Sequence, residues 1–266
     1  MNFSKLSSHL NRYKVALAVF AVTFFASSTS FGVVPKSAIN PNCSFAFNIE
    51  LEEYGDGLAI EGVSVTGDKI YPLEMVHAAL KIYPATINLW SEASKADPNF
   101  LVASIAEGYS NFVLNLNKNH VNAVAIDLGY GIDPQNLPKN KSGELMAAFL
   151  VEAKDFLIPG DAYNLPLIDK SVNVYVSHLL VNNIDDVNDR LEILKEALRV
   201  TKDGGEIKIF GFDEFDRDII LNLLDADGRY QSSSFKFEPT LTNSIHVPPR
   251  LQRKVTGWYL LKINLK

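Results

Sequence analysis

The sequence predicts an α/β fold with a parallel sheet, and three consecutive patterns within residues 159–212 predict it. The run Val172 to Val176 is apolar and rich in β-branched residues, which is typical of a buried strand, and Ile207 to Phe212 has the same character. Between the two runs, apolar residues recur at helical spacing at Leu191, Leu194, Ala197 and Leu198. A strand, a crossover helix and a second strand imply a parallel pair of strands, and therefore an α/β sheet.

The junctions between these elements indicate where function belongs. The segment Asp203 to Gly205 lies between the helix and the second strand, and its glycines supply the positive φ that a tight turn needs. In an open parallel sheet, ligands bind beyond the carboxyl ends of the strands. The pairs Asp161–Ala162 and Ser177–His178 follow predicted strands, so they are candidate ligand-contacting residues.

The segment GDAYNLPLIDKSVNVYVSHLLV, followed by ILKEALRVTKDGGEIKI, resembles the second half of a class I S-adenosylmethionine-dependent methyltransferase domain. In that family an acidic residue followed by a small one, within a GDA…LP segment, lies against the adenine. The resemblance implies that Asp161 and Ala162 take this role. It also implies a doubly wound, mostly parallel seven-stranded sheet with a terminal antiparallel hairpin, and S-adenosylmethionine as the cofactor.

Residues 100–128 have the order of elements expected for the first half of such a domain. A strand, a loop, the start of a helix and a second strand are predicted in succession at Phe100–Ile105, Ala106–Ser110, Asn111–Leu116 and Val121–Ile126. Asp127 stands at the carboxyl end of the second strand, where a carboxylate can accept hydrogen bonds from both ribose hydroxyls.

The first loop departs from the family pattern, which usually reads acidic-x-Gly-x-Gly-x-Gly. Alignment on the strand places Ser104, Ala106, Gly108 and Ser110 at those four places. Ser104 replaces a carboxylate that in the family commonly lies near the methionine end of the cofactor, and Glu107 offers a displaced carboxylate. The resemblance therefore implies a cofactor site formed by Ser104, Ala106, Glu107, Gly108, Asp127, Asp161 and Ala162.

A second carboxylate competes with Asp127 for the ribose role. The segment Tyr130 to Pro134 could itself be a strand end, which would make Asp133 the ribose ligand. We favour Asp127, because Val121 to Ile126 is the stronger strand and Gly131 and Pro134 are typical of a turn. The polar segment 135–143 is then predicted to be a lid or surface loop, before a helix at 146–153 and a short strand at 156–158.

The amino terminus has the layout of a secretory signal peptide. Lys5, Arg12 and Lys14 precede the apolar run Val15 to Ala26, and small residues allow cleavage after Gly32. We therefore expect an exported protein, periplasmic or secreted as is common in bacteria, with no stable membrane span after removal of the signal. The alternative is an uncleaved anchor, although the apolar run is short for a membrane helix.

Residues 33–84 are predicted to form an extension ahead of a methyltransferase-like domain at 85–266. Phe45–Leu51 and Leu58–Val65 alternate as two strands of a hairpin, joined by a turn at 52–57. Helices are predicted at 72–83 and 85–96. In the family resembled, such helices often cover the cofactor, which would place Tyr71, Tyr83 and Trp90 at the pocket border; core packing is the alternative.

The carboxyl-terminal part is predicted to complete the sheet. After Phe212 the pattern predicts a helix at Phe215–Leu224 and then alternating strands at Ser232–Phe237 and Trp258–Leu265. These two strands are the terminal antiparallel hairpin that the resemblance implies.

Composition narrows the function classes. The formal net charge of −6 suggests no nucleic-acid-binding face, and the single cysteine, Cys43, excludes an internal disulfide. His77, His120 and His246 lie in separate segments without other ligands at metal spacing, so we predict no metal site. Neither a Gly-x-Ser-x-Gly motif nor a phosphate-binding loop is present, which argues against those hydrolase and phosphate-transfer classes.

Two functions from different classes follow from these patterns. The first is an S-adenosylmethionine-dependent methyltransferase acting on a small molecule or an exposed macromolecule, with His178 as candidate base or acceptor-site residue; a structural histidine is the alternative. The second is an exported, non-catalytic binding protein that keeps the methyltransferase fold. The catalytic residues, the methyl acceptor and the oligomeric state are not specified by the sequence.

Overall fold

The computed structural model describes twelve stretches of the chain: residues 36–40, 51–54, 57–60, 63–66, 73–108, 110–133, 135, 137, 141–178, 180–229, 235–239 and 259–266. The predicted signal peptide, its cleavage site, Cys43 and Tyr71 lie outside the described residues. Among the described helices, none is both long and apolar enough to cross a membrane.

Ten strands are described. They are β1 Leu51–Tyr54, β2 Gly57–Ile60, β3 Val63–Thr66, β4 Val102–Ile105, β5 Ala123–Asp127, β6 Leu157–Pro159, β7 Val172–His178, β8 Thr201–Phe212, β9 Lys236–Pro239 and β10 Tyr259–Asn264. The first three form a small antiparallel sheet, and the other seven form the main sheet.

Six α-helices accompany the strands. They are α1 Leu73–Leu80, α2 Pro84–Ala96, α3 Phe112–Lys118, α4 Lys141–Ala153, α5 Val187–Val200 and α6 Arg217–Asp227. Two of their ends have clear local causes. The Asp186 side chain accepts the Asn188 N–H to begin α5, and Gly228 ends α6 with a left-handed φ of 73°.

The main sheet has the strand order β6-β5-β4-β7-β8-β10-β9. The first five strands are parallel, and β10 runs antiparallel to both of its neighbours. The predicted mostly parallel seven-stranded sheet with a terminal antiparallel pair is therefore confirmed. Placing β4 at the centre brings the first loop between the ends of β5 and β7, where the strand order reverses.

Helices cover both faces of this sheet, as the near-continuous apolar strands require. On one face, residues of α1 to α4 pack against alternate strand residues such as Val102, Ala125 and Val176. On the other face, α5 and α6 pack against Ile105, Ile126 and Tyr175. Helix α1, which the sequence placed in the extension, contributes to the first of these cores.

Several predicted boundaries need correction. The predicted turn at Asp203–Gly205 is an irregular stretch inside β8, where Gly204 has a φ of 77° and the pairing with β7 shifts register. Gly205 has a different role from the positive φ expected of it. A side chain does not fit at this position, because a Cβ there would lie 2.9 Å from the carbonyl oxygens of Asn173 and Lys202. The predicted turn at 52–57 largely forms β1 and the start of β2.

The predicted helix at Phe215–Leu224 begins two residues later, at Arg217. A capping box between Asp213 and Asp216 forms a short 3-10 turn first, which leaves the Phe215 side chain 86% exposed. Of the aromatic residues considered for the pocket border, Trp90 is buried in the core and Tyr83 is exposed.

Candidate functional site

The carboxyl ends of four parallel strands meet along one edge of the sheet. Ile105 in β4 is in register with Ile126 in β5 and with Ser177 in β7, and Asp127 pairs with Pro159 in β6. The loops that follow these strands therefore begin side by side. This edge is the location at which the sequence predicted the ligand-contacting residues.

The loop after β4 has two residues in the left-handed backbone region, Ala106 with a φ of 53° and Gly108 with a φ of 62°. The Ala106 N–H donates to the Ile126 carbonyl at 2.8 Å, which ties the loop to the end of β5. Ala106 stands where the family has its first glycine, so the chain keeps a glycine-type turn at a cost of about 1 kcal/mol of backbone strain.

Asp127 joins this loop to the turn that follows β5. Its Oδ2 accepts the Gly108 N–H at 3.0 Å, and its Oδ1 accepts the Gly129 N–H at 2.8 Å. Burial raises the pKa of the Asp127 carboxyl, and the two backbone hydrogen bonds oppose that rise. Each oxygen retains a lone pair, so the carboxylate can accept further hydrogen bonds.

Asp133, the alternative ribose ligand, lies in a different setting. Its side chain is exposed, and its Oδ1 accepts the Gln135 N–H of its own turn at 2.9 Å. It therefore caps a local turn. In the predicted lid at 135–143, Leu137 is buried and α4 already begins at Lys141.

Tyr130 was not predicted as a site residue, yet it contacts the loop directly. Its hydroxyl donates to the Gly108 carbonyl at 2.5 Å, while its ring is buried against Phe149 of α4. Both backbone polar groups of Gly108 are thus held, the N–H by Asp127 and the carbonyl by Tyr130. The sequence signal was only an aromatic residue three positions after the strand-end carboxylate.

Glu107 is buried, although it belongs to the loop at the sheet edge. Its Oε1 accepts the Ser110 hydroxyl at 2.5 Å and the Val113 N–H at 3.2 Å, at the start of α3. Burial is the main cause that raises the pKa of Glu107 to about 7; hydrogen bonding from Ser110, Ser104 and Val113 opposes it, and the charge of Asp127 adds to it.

The remaining predicted cofactor residues lie on the same edge. Ser104 is buried in β4, and the Gly160 N–H donates to the Asp127 carbonyl at 3.2 Å. Asp161 is the next residue after Gly160, so its backbone lies near that of Asp127. The Asp161 Oδ1 accepts the Tyr163 N–H at 2.9 Å. Ala162 is partly buried against the core. Their roles in cofactor binding stay predictions.

His178 does not have the properties of a general base. Its ring is buried and stacks on Phe210 with the ring centroids 5.7 Å apart. Burial lowers the pKa of His178 to about 3, so the imidazole is neutral and weakly basic near pH 7. Among the described residues there is no group of three or more potential metal ligands.

The middle of the chain is similar to one known protein family. A family model described as a methyltransferase domain matches residues 103–209. No match was found among curated proteins.

Three of the similar solved structures are between 10% and 14% identical to this chain. A Methanosarcina mazei S-adenosylmethionine-dependent methyltransferase is 14% identical, covers 69% of this chain and 98% of its own, and has a TM-score of 0.43. The Synechocystis magnesium protoporphyrin IX methyltransferase with bound S-adenosylmethionine is 11% identical, with 68% and 77% covered and a TM-score of 0.43. The Streptomyces coelicolor geranyl diphosphate C-methyltransferase with S-adenosylhomocysteine is 10% identical, with 68% and 79% covered and a TM-score of 0.40.

Proposed function

We propose that the protein transfers a methyl group from S-adenosylmethionine to an acceptor, because residues 103–209 match a family model described as a methyltransferase domain. We further propose that the acceptor is a small molecule or an exposed macromolecule. The observation that carries the proposal is the hydrogen bond from the Gly108 N–H to the Asp127 carboxylate. It joins the loop after β4 to the end of β5, the two segments that we propose to hold the nucleoside.

The residues present fit the nucleoside part of this cofactor. No atom of the described residues would lie within 4 Å of a Cβ on Gly108, the residue whose N–H is bonded to the Asp127 carboxylate, so this part of the chain leaves space at the loop. Asp127 retains acceptor capacity for the two hydroxyls of a ribose. The adjacent Leu128 side chain is 36% exposed and offers an apolar surface to a planar base.

In this proposal the residues of the chain act by holding the cofactor and the acceptor in position. Bound S-adenosylmethionine supplies an electrophilic methyl group on a sulfonium. Asp127 and the loop at Gly108 hold the nucleoside, and fixing the reactants in one geometry removes a large part of the barrier to transfer. The buried, neutral His178 is not assigned as a base, so the acceptor nucleophile is one that does not depend on this imidazole for deprotonation.

Calorimetric titration of the purified protein tests the proposal. We expect S-adenosylmethionine and S-adenosylhomocysteine to bind with a Kd in the micromolar range, between about 1 and 100 μM, which corresponds to roughly 5.5 to 8 kcal/mol. ATP serves as a control, because it shares the adenosine but carries phosphates. Absence of heat at several hundred micromolar of both sulfur ligands contradicts the enzyme and leaves the non-catalytic binding protein.

We also propose that the protein is exported after cleavage behind Gly32, on the strength of the basic and apolar amino-terminal pattern. Fractionation of cells expressing a carboxy-terminally tagged chain, followed by amino-terminal sequencing, tests this. We expect an exported chain that begins at Val33. Full-length, uncleaved chain in the cytosol would contradict export, and full-length chain in the membrane fraction would identify the anchor.

A further inference from the structure

Residues 36–40, which we call the strap, pair with residues 165–168 of the segment that follows β6. The Asn40 N–H donates to the Pro166 carbonyl at 3.1 Å, and an antiparallel bridge lies next to this bond. The Ala38 carbonyl accepts a second backbone hydrogen bond from the segment, at 2.9 Å. Because the Ala38 side chain is also buried in the core, the strap is fixed to the main domain.

Helix α5 holds the opposite side of the same segment. The Leu165 N–H donates to Glu196 Oε2 at 3.0 Å. The Arg199 guanidinium donates to the Leu165 carbonyl at 3.2 Å and to the Leu167 carbonyl at 2.9 Å. Alternate residues of the segment therefore bond to α5 and to the strap, as in an extended chain that lies between two neighbours.

Pro166 connects the strap with the candidate site. It is buried and lies so close to Gly160 that a Cβ on Gly160 would be 2.9 Å from Pro166 Cδ. The Gly160 N–H donates to the carbonyl of Asp127, the residue that we propose to hold the ribose, at 3.2 Å. A displacement of Pro166 is therefore transmitted through Gly160 to the end of β5.

We propose that the strap is a positioning element of the cofactor site, which holds the segment after β6 in the conformation that binds the nucleoside. This inference rests on the proposed function. The strap acts through Pro166 and Gly160, and it raises the affinity by keeping the binding conformation populated. When only a fraction of the molecules has that conformation, the apparent Kd rises by the inverse of the fraction. Part of the amino-terminal extension then belongs to the ligand-binding unit.

A strap that only adds stability makes a different prediction. Its loss lowers the unfolding temperature, but the affinity of the molecules that remain folded does not change. A positioning strap obeys reciprocity instead. If the strap strengthens ligand binding, the ligand strengthens the attachment of the strap by the same factor.

Two glutamate substitutions at adjacent residues of the full chain test the inference. Ala38 is buried, so Ala38→Glu places a charge in the core and detaches the strap. Ser37 is exposed, so Ser37→Glu adds the same charge and leaves the strap attached. The measurement is calorimetry with S-adenosylhomocysteine, well below the unfolding temperature of each variant. We expect Ala38→Glu to raise the Kd by about fivefold to fiftyfold, and Ser37→Glu by less than about twofold.

An unchanged Kd for Ala38→Glu, or an equal increase for both variants, would overturn the inference while leaving the cofactor proposal intact. Failure of the unaltered protein to bind S-adenosylhomocysteine would overturn both proposals.

Hydrogen exchange on the unaltered protein decides the question if Ala38→Glu does not fold. We expect saturating S-adenosylhomocysteine to slow exchange at the Asn40 and Ile168 N–H groups, which form the two bonds between the strap and the segment. The control is the Gly228 N–H at the end of α6, which donates to the Leu224 carbonyl away from the strap. Greater slowing at the strap than at Gly228 supports the inference, and equal slowing contradicts it.

Discussion

Asp127→Ala is expected to weaken S-adenosylhomocysteine binding by about 30-fold to 1,000-fold. Hydrogen bonds to a charged group are worth about 1.5 to 3 kcal/mol each, and a ribose diol makes two of them, partly offset by desolvation. The substitution also releases the Gly108 N–H, which Asp127 Oδ2 holds at 3.0 Å, so the loop loses one of its two hydrogen bonds to the end of β5. Calorimetry with the ligand measures the loss.

Asp133→Ala is the matched control for this prediction. Asp133 is an exposed carboxylate of the same segment, and its side chain caps only its own turn. We expect its removal to change the affinity by less than about twofold, because the loss of an exposed charge is largely screened. A large loss for Asp133→Ala with little change for Asp127→Ala would identify Asp133 as the ribose ligand. Thermal unfolding of both variants confirms that each is folded.

Glu107→Gln is expected to change the pH dependence of stability in the ligand-free protein. Burial raises the pKa of Glu107 from 4.5 to about 7, so the folded protein holds this proton more tightly than the unfolded chain does. The stability from this group is complete below about pH 4.5 and is lost as the pH rises through about 7. At about 1.4 kcal/mol for each pH unit between the two values, the loss is at most about 3 to 4 kcal/mol.

The measurement is the free energy of unfolding in urea between pH 5 and pH 8, without ligand. We expect the glutamine variant to become more stable relative to the unaltered protein as the pH rises. The difference between the two proteins is the relevant quantity, because His178 contributes an opposite slope in both. Its pKa is lowered to about 3, so its contribution is lost as the pH falls. Parallel curves for the two proteins would show that the pKa of Glu107 is not raised in the folded protein.

The central strands and the strand-end carboxylate could be predicted because each depends on a local pattern. Val172–His178 and Ala123–Asp127 are short apolar runs bounded by polar residues, and Asp127 is at the end of its strand in the structure as in the prediction. The parallel order then follows from the connections, since a strand, a helix and a strand leave few arrangements. The sheet edge on which the candidate site lies could therefore be predicted from the sequence.

The backbone conformation and the contacts of the loop after β4 could not be predicted from sequence. The glycine count of the loop after β4 is low, but the backbone at Ala106 still adopts a φ of 53° because its N–H is bonded to β5. The bond from Tyr130 to Gly108 and the burial of Glu107 depend on how α3 and α4 pack on the sheet. Tertiary contacts of this kind have no signature in the order of residues. The sequence pattern also placed Phe215 in a helix, but α6 begins after it, at Arg217.

The place of β10 in the sheet has a consequence for folding. Residues 259–264 lie between β8 and β9, so the main sheet is incomplete until they have paired. Until then the outer edge of β8 exposes unpaired N–H and C=O groups, which are a template for pairing with other chains. A folding intermediate without paired β10 is therefore expected to favour aggregation, since the pairing of β8 with β10 joins distant parts of the chain. Carboxy-terminal truncation before Tyr259 would make that intermediate permanent.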